Sequence, residues 1–136
     1  MPIRCADKGV PWAALIEPPT LDDFYLVPIL DCLVKVNLLW LERGNRCPPL
    51  YQAGVVYKSE LRGDEHWRSI PWVLKLGHAD CKSLAAYRVA ELQYVGEDAK
   101  CRFSSKATGS GRLWHIFVVR ESGHEEDPSR LLGMKG

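Results

Sequence analysis

Apolar positions along the chain fall into two helical stretches and three shorter alternating ones. In residues 77–92 (GHADCKSLAAYRVAEL), Leu84, Ala85, Tyr87, Val89 and Leu92 recur at the period of a helix and give it an apolar stripe. Asp80 is a preferred N-cap type, Cys81 would be the first helical residue, and Gly96 lies where a left-handed stop is expected. Residues 24–41 form a longer apolar run, expected to be a largely covered helix that Thr20 opens, with Asp23 three positions on in a variant capping box. Pro28 lies too deep to be a first-turn proline and predicts a kink or a split. Asp31 and Lys35, four apart, share a solvated face. Gly44-Asn45 ends the helix and Pro48-Pro49 prevents a restart.

Residues 51–58 (YQAGVVYK) read as a short strand. Residues 63–71 read as a loop, with Trp67 and Trp72 either lining a cleft or packing in the core. Residues 99–105 and 112–120 alternate as strands, joined by the TGSG turn signal at 108–111. In the second, Leu113, His115, Phe117 and Val119 share one face, and Trp114, Ile116 and Val118 the other. Four prolines interrupt residues 1–19, which read as an irregular arm ahead of a single domain spanning residues 20–136.

The chain has 136 residues, 46% hydrophobic and 26% charged, enough for one core without metal or disulfide staples. A net charge of +1 gives no basic field for nucleic acid or an anionic membrane. Pro28, Asp31, Lys35 and Asn37 would be costly in lipid, so residues 24–41 are expected to be a buried helix and not a span. The N-terminus lacks the apolar core of a signal peptide. Five cysteines without a CxxC pair suit a reducing, cytoplasmic setting better than a disulfide framework or a zinc site. No phosphate loop is present, and no cofactor is expected.

Three residues carry candidate chemistry. A thiol at a helix start, as at Cys81, meets unpaired N–H groups and partial positive charge, which favour thiolate; Lys82 beside it would add to this. Its bland counterpart is a cysteine packed as a small apolar residue. His115, on a face of large apolar residues, is either a satisfied core histidine or a base for that thiol. Asp127 precedes Pro128, which fixes the local backbone and would hold the carboxylate in place. Of the other histidines, His78 is a second possible base, whereas His66 and His124 are expected to face solvent.

These residues carry a resemblance. GHADCKSLAAYRVAEL resembles the nucleophile motif of the transglutaminase-like superfamily, LWHIFVV its histidine strand, and EEDPS its Asp-Pro-Ser/Thr element, in the family's order over roughly residues 51–132. Lys82 and Ser83 stand where family members often carry acidic residues, and Ala79 replaces a frequent glycine. The chain is also similar to small stand-alone bacteriophage members, which would place it in host cytoplasm or a virion.

The resemblance implies an α+β, papain-like fold: a helical lobe carrying Cys81, packed on a small antiparallel sheet carrying His115 and Asp127. It implies a thiol protease, amidase or transglutaminase that acts on a peptide or protein amide through a thioester. Cys81 would be the nucleophile, His115 the proton carrier and Asp127 its orienting group. Trp67, Trp72 and Gln52 are candidates for the oxyanion donor or cleft wall. Two other readings stay open: a non-catalytic phage structural or assembly protein with partner proteins, and a module that binds peptides without cutting them.

Overall fold

The computed structural model describes residues 3–5, 14–16, 23–60, 66–109 and 111–135, and the fold is mixed α and β. Helix α1 (Asp23–Glu42) is the first long element. Pro28 falls in its second turn and neither splits nor ends it. A proline there removes one bond near the helix start, and Val27 and Pro28 face outward. Thr20 lies outside the described residues. The other end follows expectation: Gly44 is left-handed at φ 86° and the Asn45 side chain donates to the Trp40 carbonyl at 2.7 Å.

A 3-10 turn at Leu50–Gln52 leads to strand β3 (Val56–Tyr57) and helix α2 (Ile70–Leu76). β4 (His78–Ala79) pairs in parallel with β3, Val56 opposite His78 and Tyr57 opposite Ala79. Helix α3 (Cys81–Tyr94) follows immediately. β5 (Lys100–Thr108), β6 (Gly111–Val119) and β7 (Glu125–Glu126) form an antiparallel sheet in the order β5-β6-β7. The last element is a single turn, α4 (Pro128–Leu131). Where an irregular arm was expected, β1 (Ile3–Cys5) and β2 (Ala14–Ile16) pair antiparallel. The rest of residues 1–19 lies outside the described residues.

Helix α3 is the centre of the packing. Its Ala85, Ala86, Val89 and Leu92 join one core cluster with Leu26, Ile29, Leu30 and Leu33 of α1 and with Ile116 and Val118 of β6. Its Leu84, Tyr87 and Ala90 join a second cluster with Trp40, Leu50, Ile70, Val73 and Ala79. The helix is thus covered on both sides, beyond the single stripe that its periodicity suggests. Three alanines on it let its neighbours approach closely. Among the described residues no helix is long and apolar enough to cross a membrane.

Candidate active site

Cys81 takes its position from the end of β4 and the cap of α3. Asp80 is the N-cap residue, and its Oδ1 accepts from the Ser83 backbone N–H at 3.4 Å. Its Oδ2 is ion-paired with Lys82, which is buried with its ammonium 5.5 Å from the centre of the Trp67 ring. Ser83 Oγ accepts the Arg68 backbone N–H at 3.0 Å and so fastens the segment before α2 to the same helix start.

The sheet brings Ile116, the residue after His115, to this point. The Arg120 N–H donates to the His124 carbonyl on the β7 side of β6. With the two-residue period of a strand, the N–H groups of Val118 and Ile116 point to that side as well. β7 pairs only with Val118 and Val119, so the edge is open at Ile116. Cys81 fills the opening: the Ile116 backbone N–H donates to its thiol. The nucleophile candidate therefore sits against the residue that follows His115.

Asp127 arrives at the same edge because it directly follows β7. It caps α4, with Oδ1 accepting the Arg130 N–H at 3.4 Å and Pro128 in the first turn. Its Oδ2 lies 2.7 Å from His115 Nε2 and 3.3 Å from Arg130 Nε. His115 and Asp127 are each about one quarter exposed (26% and 24%), so the pair is reachable from solvent but not dissolved in it. Nε2 is engaged, and among the described residues Nδ1 makes no hydrogen bond, to Cys81 or to any other group.

The two faces of β6 alternate as the sequence pattern predicts. Ile116 and Val118 are buried and Trp114 packs on the core, so His115 occupies the outer, more open face. Opposite it stands Ser104, small and exposed. Which face of an alternating strand turns inward is set by the helix that covers it, here α3.

The thiol's electrostatics reverse the expectation of a thiolate. Cys81 packs on the first core cluster, and this burial pushes its thiol from 9.0 up to about 11. The Asp80 carboxylate pushes the same way, while the Ile116 N–H, the Lys82 charge and the Lys82 N–H pull back without prevailing. Lys82 is ion-paired with Asp80. At neutral pH Cys81 is a protonated thiol that needs a base to react.

Of the other candidates, Trp67 borders this arrangement through the Lys82 ammonium. Trp67 is fully buried and its indole N–H has no partner among the described residues, so it has no surface with which to meet a substrate. Trp72 lies on α2 with the Lys75 ammonium over its ring at 5.2 Å. Gln52 is exposed on the 3-10 turn, and neither residue hydrogen-bonds Cys81, His115 or Asp127. His66, expected in solvent, is partly buried and paired through Nδ1 with Glu60 Oε2 at 2.9 Å. His78 is held in β4, and His124 is exposed.

Tyr57, which the sequence gave no reason to select, lies beside the site on β3, opposite Ala79. An open cavity of about 440 Å³ lies elsewhere, between α1, the end of α3 and β5, with Asp31, Lys35, Gln93 and Lys100 on its walls. Cys32, Cys47, Cys81 and Cys101 are all free thiols. Among the described residues no three His, Cys, Asp or Glu side chains gather as a metal site. No protein-family model, curated protein or solved structure matches the chain.

Proposed function

We propose that the protein carries out cysteine-dependent acyl transfer through a thioester, on a papain-like fold of the transglutaminase-like kind. One observation carries the reading: His115 Nε2 is held by Asp127 at 2.7 Å while the N–H of the next residue, Ile116, holds the Cys81 thiol. This supports a reading in which a nucleophile, a base and an orienting carboxylate work at one strand edge.

In this mechanism His115 Nδ1 takes the proton from Cys81 as sulfur attacks the carbonyl carbon of a peptide or protein amide. The carbon–sulfur bond forms and the carbonyl oxygen becomes an oxyanion. Collapse breaks the carbon–nitrogen bond, and the amine leaves with the proton from Nδ1. Asp127 keeps the ring oriented and stabilises its transient positive charge. Water then hydrolyses the thioester, or an amine takes the acyl group; the first gives a protease or amidase, the second a transglutaminase. The raised thiol is compatible with this sequence because general-base removal of the proton is concerted with attack.

The test is acylation of the intact protein with p-nitrophenyl acetate, with the modified peptide located by mass spectrometry. An acetyl group on Cys81, slowed in the His115→Ala variant, is the expected result. If Cys81 is no more reactive than Cys101, the reading fails and the non-catalytic structural protein becomes the better account.

A further inference from the structure

The strand β3 is stitched to both segments that carry the site. On one side the Val56 N–H donates to the Gly77 carbonyl at 3.1 Å and the Lys58 N–H to the Ala79 carbonyl at 2.9 Å, next to the Asp80-Cys81 helix start. On the other side the Tyr57 N–H donates to the Leu132 carbonyl at 3.0 Å, at the end of the turn that Asp127 caps. Tyr57 is thus the residue at which the nucleophile segment and the carboxylate segment meet. Its side chain is partly buried and packs on the second core cluster.

The hydroxyl of Tyr57 has no hydrogen-bond partner among the described residues, unlike those of Tyr51 and Tyr87, which are bonded to Glu126 and the Pro48 carbonyl. Burial first, then Cys81 once it is ionised, and the Asp80 and Asp127 carboxylates hold its proton on; Lys82 acts in the opposite sense. These groups act on the phenol because β3 pairs with the segment that leads directly into Cys81. It remains a donor at any pH at which the protein works. A helix start supplies backbone N–H groups to an oxyanion, and an acyl-transfer site ordinarily adds a side-chain donor. Trp67 is fully buried, and among the described residues Trp72 and Gln52 make no hydrogen bond to Cys81, His115 or Asp127.

We propose that Tyr57 is a catalytic residue whose O–H donates to the carbonyl oxygen of the acyl group as Cys81 attacks it. The proposal rests on the acyl-transfer reading and assigns the donor which that reading leaves open. Tyr57 forms no covalent bond and keeps its proton throughout; the proton that moves is the one from Cys81 to His115 and on to the leaving group.

The test compares two reactions of the same thiol in the wild type and in Tyr57→Phe, each followed on the Cys81 peptide by mass spectrometry. Acetylation by p-nitrophenyl acetate passes through an oxyanion, whereas alkylation by iodoacetamide displaces iodide at a saturated carbon and does not. The expected result is that Tyr57→Phe slows acetylation by about 100-fold and leaves alkylation within about twofold of wild type. Equal acetylation rates in the two proteins overturn the proposal and leave the acyl-transfer reading standing. A parallel fall in both reactions also overturns it, because the hydroxyl would then act on the sulfur or on the local structure. A wild type that does not acetylate at Cys81 overturns both.

Discussion

The backbone N–H of Ile116 donates to the thiol of Cys81, so the helix that presents the thiol and the strand that presents His115 are joined at adjacent residues. This bond is available because β7 stops at Val118 and leaves the edge of β6 open. Asp127 follows β7 directly and meets His115 from the same edge. The shortness of β7 therefore leaves room for Cys81 at Ile116 and for Asp127 at His115.

Asp80 and Lys82 act on the thiol in opposite directions, and their mutual ion pair is buried. The Asp80→Asn variant removes the carboxylate from a buried ion pair and is expected to cost about 3 kcal/mol of stability. The same change removes a negative charge beside Cys81 and lowers the pH at which its thiol ionises. Lys82→Met raises that pH. Urea denaturation and a pH series of Cys81 alkylation check the two effects separately, and the Asp80→Asn/Lys82→Met double variant should regain most of the lost stability.

Glu126 holds the residue next to Asp127 in place. Its carboxylate accepts from Tyr51 Oη at 2.5 Å, Arg88 Nε at 2.6 Å and Arg120 Nη1 at 3.0 Å, tying β7 to α3, β6 and the 3-10 turn. Burial opposes its ionisation, but these donors prevail and hold the carboxyl below its ordinary 4.5. Its contribution is therefore present above pH 4.5 and is lost as pH falls through the lower folded value. Glu126→Gln should cost about 2 kcal/mol at pH 7 and much less at pH 3, read from urea midpoints at the two pH values.

How far the sequence reveals this site depends on whether the signal is local. The cap at Asp80, the helix after it and the hairpin around 108–111 were legible because each is written in a few neighbouring residues. Helix α2 was not, because Pro71 reads as a breaker, although in a first turn its missing N–H is not needed. Tyr57 was invisible for a different reason: its strand is two residues long and acquires meaning only by pairing with Ala79, far along the chain. The order of Cys81, His115 and Asp127 was legible. The state of the thiol was not, since the helix start favours charge and only the packed core shows how strongly burial opposes it.

Alkaline pH should loosen the fold. Burial pushes Cys81 up to about 11 and Cys101 up to about 12, and it also raises Tyr87 and Tyr51. The unfolded chain loses the two thiol protons near 9 while the folded chain keeps them, so stability is full below that pH and falls as pH rises toward 12. Thermal melts at pH 8 and pH 10.5 should show the drop, and Cys101→Ala should make it shallower.

The central claim is that His115 serves Cys81 as its base. The most direct measurement is the rate of Cys81 alkylation by iodoacetamide against pH, in the wild type and in His115→Ala, with Cys32, Cys47 and Cys101 as internal references. The account predicts that near pH 7 the wild type reacts about 100-fold faster than the variant. The variant should follow one ionisation near 11, and the two curves should converge above it. Superimposable curves, both rising only toward pH 11, would contradict it: Cys81 would then be a packed thiol, and the contact between His115 and Asp127 would serve the fold alone.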